Sequence, residues 1–133
     1  MHHRGTEDTE RKINSLTQQA IGAAIEVHRM LGPGLLESAY ETCLGHELTL
    51  RGLPFEMQMP LPVRYKGVQL DCAYRLDFVL ESRLILELKS VERLLPIHEA
   101  QLLTYLRLLG IKYGLLLNFN APVLLQGIRR MAH

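Results

Sequence analysis

Two segments in which apolar and polar residues alternate constrain the fold of this chain more than any other feature. The alternation runs through 68–80 and again through 84–90, and a period of two residues is typical of β-strands. Because only three residues separate the segments, we expect a β-hairpin with one apolar and one charged face. The apolar face of the longer strand would contain Val68, Leu70, Cys72, Tyr74, Leu76, Phe78 and Leu80.

The loop between these strands decides which charged residues share a face. A three-residue loop pairs Leu80 with Leu84, and this register places Asp77 opposite Glu87. A two-residue loop without a bulge would instead place Asp77 among leucines, where an unpaired carboxylate is strongly disfavoured. We therefore expect Asp77 and Glu87 to share one surface with Lys89, two residues further along.

Two chemical interpretations of these three residues remain open at this point. Facing carboxylates repel each other unless a positive charge lies between them, and Mg²⁺ or Mn²⁺ supplies that charge because it prefers oxygen ligands. Lys89 would then orient or deprotonate an attacking water and stabilise negative charge on a phosphate, as a phosphodiesterase requires. The same spacing also fits a solvated sheet face with a cross-strand ion pair.

The rest of the chain predicts an α/β fold. Its elements would follow the order α-α-β-β-β-α-β, with one further strand at the end, which indicates a mixed sheet flanked by helices. Residues 1–13 are polar and predicted to be frayed, and 14–133 would form a single domain. The predicted helices are 15–31, 35–51 and 97–109, and the remaining extended segments are 55–65, 113–119 and 123–131, the last of which is ambiguous.

Composition narrows the classes of function. A net charge of +1 across 133 residues argues against a non-specific DNA coat protein. No apolar run approaches the length of a membrane span, and the first residues lack the apolar segment of a signal peptide, so we expect a cytoplasmic protein without a membrane partner. Cys43 and Cys72 both lie in apolar patterns, which predicts reduced thiols rather than a disulfide or a zinc site.

Four longer motifs carry a family resemblance. They are EVHRMLGPGLLESAYE, YRLDFVL, LILELKSVERLLPIHEAQLLTYL and GLLLNF. In this combination the chain resembles the GxxExxY proteins, which are assigned to the PD-(D/E)XK nuclease superfamily, and Gly34, Glu37 and Tyr40 fill the pattern that names them. The resemblance covers about residues 16–128 and implies a restriction-endonuclease-like core.

The resemblance also implies a role for each residue of the site. Asp77 corresponds to the acid of the first motif and Glu87-Leu88-Lys89 to the (D/E)XK triplet, although Leu76 stands where the superfamily name has proline. Asp77 and Glu87 would bind Mg²⁺ or Mn²⁺, and Lys89 would serve the nucleophile. Gln101 would orient the nucleophile, and Glu37 would complete the metal shell directly or through water. The implied activity is hydrolysis of phosphodiester bonds in nucleic acid, with DNA favoured over RNA.

Three supporting residues have structural as well as functional interpretations. Tyr40 would pack or hydrogen-bond beside Glu37, although a tyrosine on the inner face of a helix is more often a core residue with a satisfied hydroxyl. His98 would lie near the site, although a lone histidine is more often hydrogen-bonded for structural reasons. Arg75 would touch a phosphate or pair with one of the two acids.

A competing function is a catalytically silent nucleic-acid-binding or regulatory module on the same fold. Its motivation is the near-neutral charge and small size, which leave little obvious surface for gripping a duplex. A homodimer would supply that surface by joining two weak basic patches.

Overall fold

The computed structural model describes residues 2–70 and 74–133. Its elements follow the predicted order of helices and strands, with two of the predicted extended segments each divided in two. In chain order they are α1 (His2–Leu31), α2 (Glu37–Leu50), β1 (Phe55–Pro60), β2 (Val63–Tyr65), β3 (Val68–Leu70), β4 (Arg75–Leu80), β5 (Leu84–Lys89), α3 (Pro96–Leu109), β6 (Tyr113–Asn118), a 3₁₀ helix (Leu124–Gly127) and β7 (Ile128–Ala132).

The main sheet has five strands in the order β1-β4-β5-β6-β7. Strands β5 and β6 are parallel, whereas the other neighbouring strands are antiparallel. A parallel pair needs a crossover connection, and α3 provides it between β5 and β6. The predicted α/β fold with a mixed sheet flanked by helices is therefore confirmed.

Each face of the main sheet is covered by helices and has its own apolar cluster. On one face, α1 and α2 pack with Phe78 and Leu80 of β4 and with leucines of β5 and β6. On the other face, α3 packs with Val79 and Ile85. Because both faces are covered, β6 is apolar and almost wholly buried along its length, as its continuous run of apolar residues predicts.

The predicted register of the hairpin is confirmed. Leu80 pairs with Leu84 and Phe78 pairs with Leu86, and 81–83 form the three-residue turn between them. Regular pairing between β4 and β5 ends at Phe78 and Leu86. The register therefore brings Asp77 and Glu87 opposite each other at the point where the two strands separate.

The prediction of one strand through 68–80 is wrong. Strand β3 pairs with β2 in a separate two-stranded sheet, where Val68 and Leu70 are exposed, while β4 begins at Arg75. Residues 71–73, with Cys72, lie outside the described residues. The predicted extended segment 55–65 is likewise divided, between β1 of the main sheet and β2 of the small one.

The predicted apolar face of β4 also fails at one residue. Leu76 packs in the cluster on the α3 face, opposite to Phe78 and Leu80. The neighbouring strand is distorted at the same point, where Gln58 has a φ of 52° and the pairing of β1 with β4 is interrupted opposite Asp77. A residue in this left-handed conformation bends the strand and alters its twist.

Element boundaries differ from the sequence prediction at both ends of the chain. Helix α1 begins at His2 rather than near residue 15, and the predicted strand 123–131 is instead a 3₁₀ helix followed by β7. Helix α3 starts with Pro96 in its first turn and ends at Gly110, whose φ of 68° suits glycine. Cys43 is a partly buried free thiol beside the core.

None of the helices within residues 2–70 and 74–133 has the combination of length and apolar character that crossing a membrane requires.

Candidate active site

The site lies in the opening between β4 and β5. The backbone amide of Asp77 donates a hydrogen bond to Oε1 of Glu87 at 3.1 Å, and the amide of Leu88 donates to Oδ2 of Asp77 at 2.8 Å. These carboxylates therefore accept hydrogen bonds from backbone donors beyond the last regular pair of the hairpin. Asp77 and Glu87 are only 9% and 5% exposed. Two acids therefore lie next to each other in the protein interior.

Burial and the charge of a neighbouring acid raise the affinity of this pair for a proton. Burial, followed by the negative charge of Asp77, raises the pKa of Glu87 from 4.5 to about 8. Burial likewise raises the pKa of Asp77, although the hydrogen bond from Leu88 and the charge of Lys89 oppose that rise. Two interacting acids titrate as a unit, so the metal-free pair retains a proton near neutral pH.

Lys89 and Gln101 form the side of the site that faces α3. The ammonium Nζ of Lys89 lies 3.5 Å from the amide Oε1 of Gln101. The positive charge of Lys89 lowers the pKa of both Asp77 and Glu87, which places the ammonium within electrostatic range of the pair. Strand β5 thus supplies Glu87 and Lys89, and α3 brings Gln101 to them.

Glu37 is the first residue of α2 and lies within electrostatic range of the site. It is partly buried, and burial, followed by the negative charge of Asp77, raises the pKa of its carboxyl. The charge of Lys89 opposes that rise. The structure therefore brings Glu37 into electrostatic range of Asp77 and Lys89, beside the buried pair rather than within its hydrogen bonds.

The glycine-proline-glycine loop before α2 has a conformation that fixes Glu37 in place. Gly32 and Gly34 have φ values of 70° and 99°, which side chains strongly disfavour. The hydroxyl of Ser90, directly after β5, donates to the carbonyl oxygen of Leu35 at 2.7 Å. This contact ties the loop to the end of the strand that carries Glu87 and Lys89.

Tyr40 holds the same loop from inside the core. Its hydroxyl donates to the carbonyl oxygen of Gly32 at 2.6 Å and accepts from the amide of Leu35 at 3.0 Å. Its fully buried ring stacks on Phe119 with 4.7 Å between ring centroids. Tyr40 therefore has the structural position of a core tyrosine with a satisfied hydroxyl, and it positions Glu37 through the loop.

Two residues of the site were not predicted from the sequence. Glu41 lies one turn after Glu37, and burial and the charge of Asp77 raise the pKa of its carboxyl. Gln58 donates a hydrogen bond to Glu41, and its side chain opposes the rise in the pKa of Asp77 that burial causes. The four-residue spacing between the two glutamates was a signal that they share a helix face, whereas nothing local in the sequence marks Gln58.

The structure places the remaining predicted residues at the margin. His98 accepts a hydrogen bond at Nδ1 from the amide of Leu95, 2.9 Å away, and so caps the start of α3. Arg75 is exposed, and its guanidinium donates to the carbonyl oxygen of Gln58 at 3.1 Å. Both contacts are structural, and the ion-pair contacts described for this chain do not join Arg75 to Asp77 or Glu87.

The buried pair fits a divalent cation of the Mg²⁺ type. Such ions are bound through one or two carboxylates, with water and substrate phosphates as the other ligands. In the described residues, no three His, Cys, Asp or Glu side chains are grouped as a ready-made metal site. Asp77 and Glu87 are thus the two protein carboxylates that could hold the ion, which would replace the proton that they otherwise retain.

Comparison with known proteins agrees with this geometry. A family model of the PD-(D/E)XK nuclease superfamily matches residues 14–131. Neither the curated proteins nor the solved structures provide a match. Nucleases of this superfamily act on nucleic acid and generally use divalent metal ions. The family match spans nearly the whole chain, including every acid described above, and so this protein belongs to the PD-(D/E)XK nuclease superfamily.

Proposed function

We propose that this protein is a nuclease that hydrolyses phosphodiester bonds of DNA with Mg²⁺ or Mn²⁺ as its cofactor. The observation that supports this proposal best is the buried pair of Asp77 and Glu87, with Lys89 within electrostatic range. Two acids at 9% and 5% exposure have no structural benefit that apolar residues would not provide better. A cation-binding role explains why they are there.

The residues around the pair have distinct roles in this proposal. Asp77 and Glu87 would hold the ion, and Glu37 would support it from α2. The bound ion would supply the positive charge that opposes the negative charge building on the phosphate. Lys89 orients the attacking water and donates a hydrogen bond to a phosphate oxygen. Gln101, whose Oε1 lies 3.5 Å from the Lys89 ammonium, keeps that ammonium directed at the substrate.

Two positioning residues complete the arrangement. Gln58 donates to Glu41 through its side-chain amide and opposes the rise in the pKa of Asp77 that burial causes, so it would hold Glu41 beside the acidic pair. Tyr40 fixes the loop before Glu37 through its contacts with Gly32 and Leu35. The match of Gly34, Glu37 and Tyr40 with the GxxExxY pattern supports assignment to that subfamily.

The decisive experiment compares Lys89→Ala with Lys112→Ala. Purified variants are incubated with supercoiled, linear and single-stranded DNA, and with RNA, in Mg²⁺ or Mn²⁺ and in EDTA. Lys89→Ala should lose cleavage by about 100-fold or more, because it removes a group that acts on the transition state. Lys112, which instead lies over the Tyr113 ring at 5.4 Å, should be replaceable without loss.

Two outcomes would contradict the nuclease proposal. Cleavage that persists in EDTA, or that Lys89→Ala leaves unchanged, would show that the activity does not come from this site. If the protein binds DNA without cutting it under any of these conditions, the catalytically silent module is the better description. The expected homodimer is tested separately, by size-exclusion chromatography with light scattering to measure the mass of the protein.

A further inference from the structure

A groove beside the catalytic pair has the character of a nucleobase site. It lies between α3 and the segments around β2 and the start of β4, and its volume is about 390 Å³. This is within the range of small-molecule sites, about 300 to 1,000 Å³. Gln101 lines the groove and also contacts the ammonium of Lys89. The groove therefore begins where the proposed reaction centre ends.

The walls of the groove are aromatic and aliphatic, and the lining side chains within residues 2–70 and 74–133 are uncharged. Tyr74 stands at the rim with 51% of its surface exposed, and Tyr105 is buried deeper on α3. The carbonyl oxygen of Tyr74 accepts a hydrogen bond from the amide of Leu61 at 2.9 Å. An exposed aromatic ring beside an apolar groove is suited to stacking against a flat ligand.

The hydroxyl of Tyr105 connects the groove to the acids. Burial, followed by the charge of Glu87, raises the pKa of Tyr105, and the neighbouring Tyr74 adds to that rise. Tyr105 is therefore within electrostatic range of both the acidic pair and the rim tyrosine. Gln101 and Thr104 add amide and hydroxyl groups that can donate and accept hydrogen bonds at the edge of a base.

We propose that this groove binds one unpaired nucleobase next to the phosphate that is cleaved, with the base stacked on Tyr74 and its edge facing Gln101 and Thr104. The proposal rests on the proposed nuclease function, because that function supplies the nucleic acid. A phosphate is the wrong occupant, since the lining residues that the structure describes carry no positive charge. A base is the right one, because it presents an apolar face and a polar edge.

The groove consequently selects the form of the substrate. A base within a duplex is covered by its neighbours and can enter a side pocket only by leaving the stack, which costs a few kcal/mol. A base in a single strand, a flap or a frayed end is already free. We therefore infer that the protein prefers DNA with unpaired nucleotides at the cleavage position over fully paired duplex.

The test measures binding, which does not depend on turnover. The full chain carrying Asp77→Asn, which should leave the probe intact, is titrated into short single-stranded DNA containing 2-aminopurine, and into its paired duplex. Stacking on Tyr74 should quench the 2-aminopurine emission, and the single strand should bind more tightly than the duplex. Adding Tyr74→Ala should weaken single-strand binding by roughly 5- to 100-fold and abolish the quench, as loss of one base–aromatic stack does.

Three further variants separate stacking from general damage. Tyr74→Phe keeps the ring and should bind like the parent, whereas Ala100→Trp fills the groove from α3 and should weaken binding like Tyr74→Ala. Tyr65→Ala removes another exposed tyrosine, one outside the groove lining and 63% exposed, and should change nothing.

The outcomes distinguish this inference from the nuclease proposal. Equal affinity for single strand and duplex, absence of binding, or unchanged binding after Tyr74→Ala would each overturn the base site. If the wild-type protein cuts DNA while Tyr74→Ala alters neither binding nor cutting, only the base site is wrong. If Tyr74-dependent binding is found but the wild-type protein does not cut, the nuclease proposal is wrong and the base site stands.

Discussion

Asp77 and Glu87 are linked across the opening of the hairpin, because the backbone amide of Asp77 donates to Oε1 of Glu87 at 3.1 Å. The carboxylate of Asp77 in turn accepts a hydrogen bond from the backbone amide of Leu88 at 2.8 Å. The acids are thus held by backbone groups, whose positions the sheet determines. An acidic site built in this way is preorganised before any ion or substrate arrives.

We predict that the metal-free protein loses stability as the pH rises from about 5 to 8. Burial and the charge of Asp77 raise the pKa of Glu87 from 4.5 to about 8 in the folded chain. Between these values the folded state binds more protons than the unfolded state, so the free energy of unfolding falls by up to about 1.4 kcal/mol per pH unit. Urea unfolding in EDTA across this range measures the slope.

Glu87→Gln is the informative variant for that slope. The amide stays neutral at every pH, so the slope should be much reduced, and the variant should be more stable than wild type at the alkaline end. Glu56→Gln, which removes an exposed carboxylate on β1, should keep the wild-type slope. If the free energy of unfolding depends on pH equally in wild type and Glu87→Gln, the prediction is wrong.

A second prediction concerns metal binding. Mn²⁺ should raise the melting temperature of the wild-type protein, with a stabilisation of about 2.7 kcal/mol when the ion is at 100 times its Kd. If Asp77 and Glu87 hold the ion, it would replace the proton that the pair otherwise retains, so the affinity for Mn²⁺ should increase as the pH rises from about 6 to 8. Calorimetry in buffers of different ionisation enthalpy would detect the released proton.

The control for metal binding is Asp77→Asn. This change removes one of the two carboxylates that the ion needs, and it should abolish both the thermal shift and the calorimetric signal. Heat of equal size from Asp77→Asn and wild type would show that Mn²⁺ binds elsewhere on the protein.

Glu37→Gln should reduce cleavage by about 10- to 100-fold, the usual effect of changing a residue that supports a metal site. The reason is its position, since Glu37 is partly buried within electrostatic range of Asp77 and Lys89. Initial rates at saturating Mn²⁺ measure the effect. Glu47→Gln is the matched control on the same helix, because Glu47 instead pairs with Arg51 at 2.8 Å. Equal rates for the two variants would exclude Glu37 from the site.

Tyr40→Phe should destabilise the protein by about 1 to 2 kcal/mol, because it removes the hydroxyl that satisfies two backbone groups. The stacking on Phe119 would survive this change, so the loss reports the loop contacts alone. Urea unfolding measures the stability, and Tyr65→Phe, at an exposed position, should have no comparable effect. A Tyr40→Phe variant as stable as wild type would show that the loop does not depend on this hydroxyl.

Local pattern was sufficient to predict the hairpin and the approach of Asp77 to Glu87. The hairpin register followed from loop length and from the unfavourable burial of an unpaired acid, and Leu80 does pair with Leu84. Glu41 could have been found too, because it lies one helical turn from Glu37. These features depend on periodicity and on neighbours along the chain, which the sequence displays directly.

Other features depend on contacts between distant segments. The left-handed conformation of Gln58, with its φ of 52°, occurs inside a strand, and the sequence there contains no residue typical of a turn that would predict it. The position of Leu76 on the α3 face was equally hidden. The division of 55–65 between two sheets likewise depends on which partners each half finds, so alternation alone could not reveal it.

The early end of pairing between β4 and β5 has an evolutionary consequence. Apolar branched residues in place of Asp77 and Glu87 would remove the buried charges and allow the two strands to extend their pairing. This change should increase the free energy of unfolding. Selection for thermal resistance alone would therefore favour chains that have lost the acids. If related proteins keep both buried acids in spite of this cost in stability, selection preserves the chemistry of the site rather than the stability of the fold.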